Sequence, residues 1–182
     1  MKYFLVLTLC MLHACASTKG PLESKLLHGV QGDVDVIVFS STDCPIANAL
    51  APEIERIHKD LQSKGGELFL VHVWEGRSHS DAGEHAKEYG LTMEVLVDSD
   101  HELVNLFNAT VTPEAIVVTY DAIGNPVVVY QGLINNLFDS PGNRRDKATR
   151  HYVREAIDAT VSCSNVAAAY RTPTGCVIEQ MK

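Results

Sequence analysis

Of the residues able to do chemistry in this chain, Cys44 is the best placed. The run Val36-Ile37-Val38-Phe39 has the length and β-branched content of a buried strand. Four small or polar residues follow it, then Cys44-Pro45, and beyond them Ile46, Leu50, Ile54, Ile57 and Leu61 recur at helical spacing. Proline is favoured at the first helical position, where no amide bond is lost, so Cys44 is the expected N-cap. There its sulfur lies beside free backbone N–H groups and the positive end of the helix dipole, which stabilise a thiolate, the reactive form. A buried, inert cysteine is the plain alternative. A strand-to-helix junction followed by proline favours the reactive one.

Other reactive residue types are less organised. His72, His79, His85 and His101 fall on a strand, a loop and two helices, without H-x-x-x-H or similar ligand spacing, so structural or solvated histidines are expected. Neither a metal nor a cofactor is expected. Arg144, Arg145, Lys147, Arg150 and Arg154 form the basic cluster, read as a helix face balanced by surface acids. Asp43, beside the nucleophile, would raise the thiol pKa if its carboxylate approached the sulfur.

The elements that must position Cys44 fit one domain: 182 residues suffice for a full hydrophobic core. A formal charge of −8 argues against nucleic acid as a partner. Residues 1–16 read as an export signal, with Lys2 ahead of a short apolar core from Phe4 to Leu12 that carries off Cys10. It falls short of the roughly 20 apolar residues of a membrane span. Leu12-His13-Ala14-Cys15 resembles a bacterial lipobox, which would leave Cys15 as a lipidated N-terminus and the membrane as a partner only through that anchor. Ala14-Cys15-Ala16 also fits the A-x-A pattern of ordinary secretion. Both place the protein outside the cytoplasm, where disulfides are permitted.

Residues 17–33 are expected to be a polar tether, 34–161 the folded domain and 162–182 a cysteine-containing tail. Within the domain the pattern predicts a strand over 67–73 and a helix capped by Ser80 and running to Tyr89. A short strand follows over 93–97, then a two-turn helix behind Asp98-Ser99-Asp100 with Leu103, Leu106 and Phe107 inward. A hairpin comes next, 115–120 and 126–131 about Asp121–Asn125. A long loop over 132–143 and a helix over 147–161 complete it. Alternating strands and helices with a late hairpin predict an α/β fold with a mixed sheet. Pro52 interrupts the Cys44 helix and calls for a kink. Thr112-Pro113, directly ahead of a core strand, suggests a special turn and a cis bond.

The phrase F-x-x-x-D-C-P, the proline eight residues after the cysteine, and Val111-Thr112-Pro113-Glu114 before a hairpin resemble the thioredoxin superfamily. More narrowly, Cys44-Pro45-Ile46-Ala47-Asn48 resembles exported bacterial redoxin-domain proteins of the AhpC/TSA-like group with a CPxxN active site. Tyr130-Gln131-Gly132-Leu133-Ile134-Asn135-Asn136 and Gly175-Cys176-Val177-Ile178 are similar to their later features. The resemblance covers about residues 30–178. It implies a thioredoxin-like three-layer α/β/α fold with a mixed central sheet, and a cis-proline, Pro113, lying against the sulfur and shaping the substrate groove. Three departures stand out. Ala47 occupies the second position of a C-x-x-C dithiol, and Ile37 replaces the proline of the peroxiredoxin motif, although Ser41 keeps its hydroxyl. Asn48 stands where copper chaperones of the Sco type carry a second cysteine.

Cys44 must therefore act alone or with a distant thiol, either Cys163 or Cys176. A Cys44–Cys176 pair would let Cys176 resolve an oxidised Cys44. A Cys163–Cys176 pair would be a staple closing a short tail loop, worth roughly 3 kcal/mol. Free thiols are the third case. The expected function is a cell-envelope thiol–disulfide oxidoreductase or thiol peroxidase-like redoxin, with Ser41 and Asn48 donating hydrogen bonds near the sulfur. Its partners would be a disulfide-bearing protein, or a small peroxide or disulfide, and an electron donor that the sequence does not specify. The alternative is a Sco-like metal-handling or partner-binding module without turnover.

Overall fold

The computed structural model describes residues 21–73 and 78–179; the export signal, Cys15 and residues 74–77 of the loop after the second strand lie outside the described residues. The apolar run becomes β1 (Val34–Ser40), in which Val36, Ile37, Val38 and Phe39 are all buried. Val36 and Val38 face one side of the sheet, Ile37 and Phe39 the other. A strand covered on both faces must be apolar at successive positions, which is why the sequence shows a run and not an alternation.

β1 is central in a six-stranded sheet of order β3-β2-β1-β5-β6-β9. The others are β2 (Leu68–His72), β3 (Glu94–Val97), β5 (Glu114–Tyr120), β6 (Pro126–Gly132) and β9 (Tyr170–Arg171). β1/β2, β2/β3 and β6/β9 are parallel, whereas β1/β5 and β5/β6 are antiparallel. On one face lie α2 (Pro45–Gln62) and α5 (Tyr152–Val161), which bring Leu50, Ile54, Ile57, Val153 and Ile157 onto Val36 and Val38. On the other, α1 (Pro21–Leu26) and α4 (Glu102–Phe107) bring Leu26, Leu103 and Val104 onto Ile37 and Phe39. α3 (His79–Glu88) flanks β3. This is a three-layer α/β/α arrangement about a mixed sheet. Among the described residues no helix is long and apolar enough to cross a membrane.

Several elements differ from the sequence expectation, each for a local reason. The lead-in holds α1, and Leu26 and Leu27 enter the core, so its described part belongs to the packed fold. α3 starts two residues early, because Ser78 forms a capping box with Asp81. α4 has His101 at its N-cap in the left-handed region; Asp98 serves it from further back, accepting from the amides of Leu103 and Val104. Leu106 is exposed. The loop after β6 contains a small hairpin, β7 (Phe138–Ser140) and β8 (Asn143–Arg144), turned at Pro141-Gly142. α5 begins only at Tyr152, and three residues of the basic cluster are paired: Arg145 with Asp139, Arg150 with Glu155 and Arg154 with Glu53.

α2 runs unbroken through the exposed Pro52. The next residue, Glu53, is buried and binds α2 to α5: Arg56 donates twice at 2.9 and 2.7 Å, Arg154 at 2.9 Å, and His151 Nδ1 lies at 3.0 Å. Burial alone would raise its pKa, but the hydrogen bonds from Arg154 and Arg56 outweigh it and hold the carboxyl below the ordinary 4.5. Removing one member of a buried pair costs about 3–5 kcal/mol. Here Arg56 stays 62% and Arg154 29% exposed, so about 2 kcal/mol is expected for Glu53→Gln. A depressed carboxyl contributes stability above its unfolded pKa and loses it as pH falls through the folded value. Urea midpoints should therefore drop for the variant at neutral pH and converge with wild type in acid.

Candidate active site

Cys44 is the N-cap of α2, with extended backbone at φ −85° and ψ 107°, and Pro45 is the first helical residue. Its Sγ accepts the Ala47 amide N–H at 3.5 Å. The side chain is buried. From the opposite side comes β4 (Val111–Thr112), which ends at a cis Thr112–Pro113 bond. The Thr112 carbonyl lies 2.9 Å from Cys44 Sγ and accepts the thiol proton. Pro113, also buried, follows at once, so the expected cis-proline stands next in sequence to the group that touches the sulfur.

The tail closes the site. β10 (Cys176–Val177) pairs antiparallel with β4, Cys176 opposite Thr112 and Val177 opposite Val111. Ile178 extends the pairing by donating its amide to Thr110 O at 2.9 Å, and its side chain is buried. Two glycines make this docking possible. A Cβ on Gly132 would lie 1.8 Å from Arg171 O of β9, and one on Gly175 would lie 2.1 Å from Thr112 O. Arg171 also stacks on Tyr152 at 4.2 Å.

This path brings Cys176 beside Cys44, opposite the residue whose carbonyl meets the Cys44 sulfur. Cys163 is instead exposed at the end of α5. All three are free thiols. Burial pushes the Cys44 thiol up, but the Cys176 thiol, Thr112 and the Ala47 amide together bring it below its ordinary value. Thr112 acts in both senses: its carbonyl favours the neutral thiol, while its side chain favours the thiolate. The four lowering bonds prevail. Cys176 moves the other way, to about 11, through burial, its hydrogen bond to Cys44 and the Cys44 charge. The two shifts are opposed, Cys44 down and Cys176 up, so of the two thiols Cys44 ionises first.

Ser41 and Asn48 serve the loop rather than the sulfur. Ser41 Oγ accepts weakly from the Asp43 amide at 3.4 Å. Asn48 Nδ2 donates to Thr42 O at 3.1 Å, while its Oδ1 faces His85 Nε2 at 2.8 Å. The reason is geometric. Positions 41 and 48 flank a turn whose Asp43 amide needs an acceptor and whose Thr42 carbonyl needs a donor, and the sulfur already meets the Ala47 amide and the Thr112 carbonyl. Sequence reasoning gave no site role to Thr112, to His85 or to the buried Glu114. Glu114 accepts from Thr110 N at 2.9 Å and Gln131 Nε2 at 2.7 Å, fixing the turn around Pro113. A carboxylate directly after a proline on a core strand was the available signal.

The AhpC/TSA family model matches residues 17–129. The chain belongs to the AhpC/TSA family. The comparison with curated proteins gives no match. Among solved structures, a hypothetical protein from Sinorhizobium meliloti is similar with a TM-score of 0.67 and 22% identity, over 81% of this chain and 80% of that one. An uncharacterised protein from Geobacillus kaustophilus gives 0.66 and 22%, over 87% and 81%. A protein from Chlorobium tepidum, provisionally assigned as the thiol:disulfide interchange protein DsbE, gives 0.50 and 16%, over 78% and 83%. The fold of this AhpC/TSA member is therefore thioredoxin-like. It departs from the peroxiredoxin motif at Ile37 and from a C-x-x-C dithiol at Ala47, and both Cys163 and Cys176 lie beyond the matched residues.

Proposed function

We propose that the protein is a thiol–disulfide oxidoreductase in which Cys44 is the nucleophile and Cys176 the resolving thiol. The observation that carries this reading is the β4–β10 pairing, which sets Cys176 opposite Thr112, the residue whose carbonyl meets the Cys44 sulfur. The Cys44 thiolate attacks one sulfur of a substrate disulfide; that S–S bond breaks, a mixed disulfide forms on Cys44, and the other substrate sulfur leaves as a thiolate and takes a proton. While Cys44 is charged it holds the Cys176 proton in place. Once Cys44 is in a mixed disulfide that charge is gone, and Cys176 loses its proton more readily. Its thiolate then attacks Cys44 Sγ, releasing the second substrate thiol and leaving a Cys44–Cys176 disulfide. The substrate gains two electrons and the protein loses them; an external dithiol restores the starting state. Pro113 and Glu114 hold β4 in register for this exchange.

Disulfide-bearing proteins are the substrate class this reading favours, and the provisional assignment of the Chlorobium tepidum neighbour is of the same class. The export signal read over residues 1–16, lipidated at Cys15 or cleaved as in ordinary secretion, supports the bacterial cell envelope as the site of this exchange. To test the mechanism, reduced protein is treated with glutathione disulfide, quenched in acid and mapped without reduction. The expected product is a Cys44–Cys176 peptide pair. A Cys163–Cys176 pair with Cys44 free, or a Cys44 that titrates at or above the free-thiol value of about 8.5, overturns it.

A further inference from the structure

We propose that His85 is a positioning residue for Cys44, acting through the side chain of Asn48; the inference rests on the reading of Cys44 as the nucleophile. Asn48 spans the turn that delivers Cys44. Its amide N–H donates to Cys44 O at 3.0 Å, and its side-chain nitrogen donates to Thr42 O at 3.1 Å. With Nδ2 committed to a carbonyl, Oδ1 must be the atom 2.8 Å from His85 Nε2, so the imidazole carries its proton on Nε2 and donates it. Flipping the amide would set Oδ1 against the Thr42 carbonyl, two acceptors face to face.

The rest of the environment agrees. Burial lowers the His85 pKa against the raising influence of Glu88 and Asp43, so the ring is neutral near pH 7. Among the described residues its Nδ1 is buried with no hydrogen-bond partner, which suits an unprotonated nitrogen better than an N–H. The ring is held from two sides. His72, paired with Ser40 at the ends of β1 and β2, meets it edge-on at 5.2 Å, and Tyr89 lies at 4.7 Å. A rigid ring on α3 thereby fixes the Asn48 rotamer, Asn48 fixes the 42–44 turn, and the turn sets where Cys44 Sγ meets the Ala47 amide and Thr112. Asparagine in the fifth position of Cys44–Asn48 thus has a physical task, to link the nucleophile's loop to α3.

The test uses the chain with Cys163→Ser, and reads both the ultraviolet titration of the thiolate and the alkylation rate of Cys44 at neutral pH. His85→Phe keeps a ring without a donor. His85→Gln places an amide N–H near the original Nε2. His85→Asn, whose shorter amide falls short of Oδ1, replaces the Phe variant if that chain does not fold. Loss of the bond should slow alkylation about fivefold in His85→Phe and in Asn48→Ala, with the lower titration step moving to higher pH. Gln should return the rate to within about twofold, and His85→Phe/Asn48→Ala should be no slower than the slower single variant. An unchanged His85→Phe, a Gln variant as slow as Phe, or independent effects in the double variant would each overturn the proposal. A wild-type Cys44 that titrates as an ordinary thiol overturns the functional reading itself, and this one with it.

Discussion

Cys176→Ser and Cys176→Ala both stop disulfide exchange at the mixed disulfide, but they separate in how fast they get there. Neither variant offers a second thiol beside Cys44, so glutathione disulfide should leave one glutathione on Cys44, and turnover with an external dithiol should fall on the order of 100-fold, since release then waits on a bimolecular attack. The first step depends on what replaces the Cys176 S–H donor. Serine keeps a hydroxyl in that place, and the thiolate keeps its partner. Alanine removes it, and a hydrogen bond to a charged group is worth about 1.5–3 kcal/mol. At about 1.4 kcal/mol per factor of ten, Cys44 in the Ala variant should be alkylated about tenfold more slowly than in the Ser variant near pH 7. Cys44→Ser, lacking the nucleophile, should form no adduct at this site. Mass spectrometry of the trapped species and alkylation rates across pH check each part. Equal rates for Ser and Ala would show that the Cys176 contact has no bearing on the Cys44 charge.

Cys44 was legible because its setting is local. A β-branched run, a short polar turn and Cys-Pro ahead of helical spacing can fold in few ways, and the structure has β1, the turn and α2 where the sequence predicts them. The cis bond at Pro113 was legible for a related reason: a proline beside a core strand has few places to go. What the sequence hid is non-local. Asn48 and His85 are 37 residues apart, and only the packing of α3 beside β3 brings them together. Thus Asn48 is easily read as a partner of the nearest sulfur when its side chain serves a carbonyl and a histidine. The late starts and early starts had weaker local signals. Ser78 with Asp81 three residues on is a capping box that competes with Ser80, and the Leu22, Leu26 and Leu27 spacing marks α1 within a polar stretch. The placement of the tail could be anticipated only in outline, since the docking depends on the missing side chains of Gly132 and Gly175.

Gly175→Ala should move two rates in opposite directions, and that opposition makes it the sharpest test of the tail. A methyl group there would sit 2.1 Å from the Thr112 carbonyl oxygen, an atom of β4 backbone with no freedom to rotate away. Overpacking of this kind costs about 1–3 kcal/mol. The weakest element available to yield is β10, which is held by two paired residues and the Ile178 anchor, not β4 or α2. The tail strand should therefore lift, and at about 1.4 kcal/mol per factor of ten the open population should grow about tenfold. Cys44 is 1% exposed with the tail in place, so at a pH of about 10, where the thiol is ionised with or without Cys176 beside it, opening raises its access to alkylating reagents by a similar factor. The same motion carries Cys176 away, so the Cys44–Cys176 disulfide forms more slowly after the first attack. Val177→Ser is the control: that side chain is 77% exposed and points away from the site, so it should leave both rates as they are. General unfolding would raise access but would also move the urea midpoint, whereas lifting two residues of strand leaves the core of β1, α2 and α5 intact. If Gly175→Ala slows both steps together, the tail does not cover the nucleophile in solution, and the resolving thiol must reach Cys44 by another path.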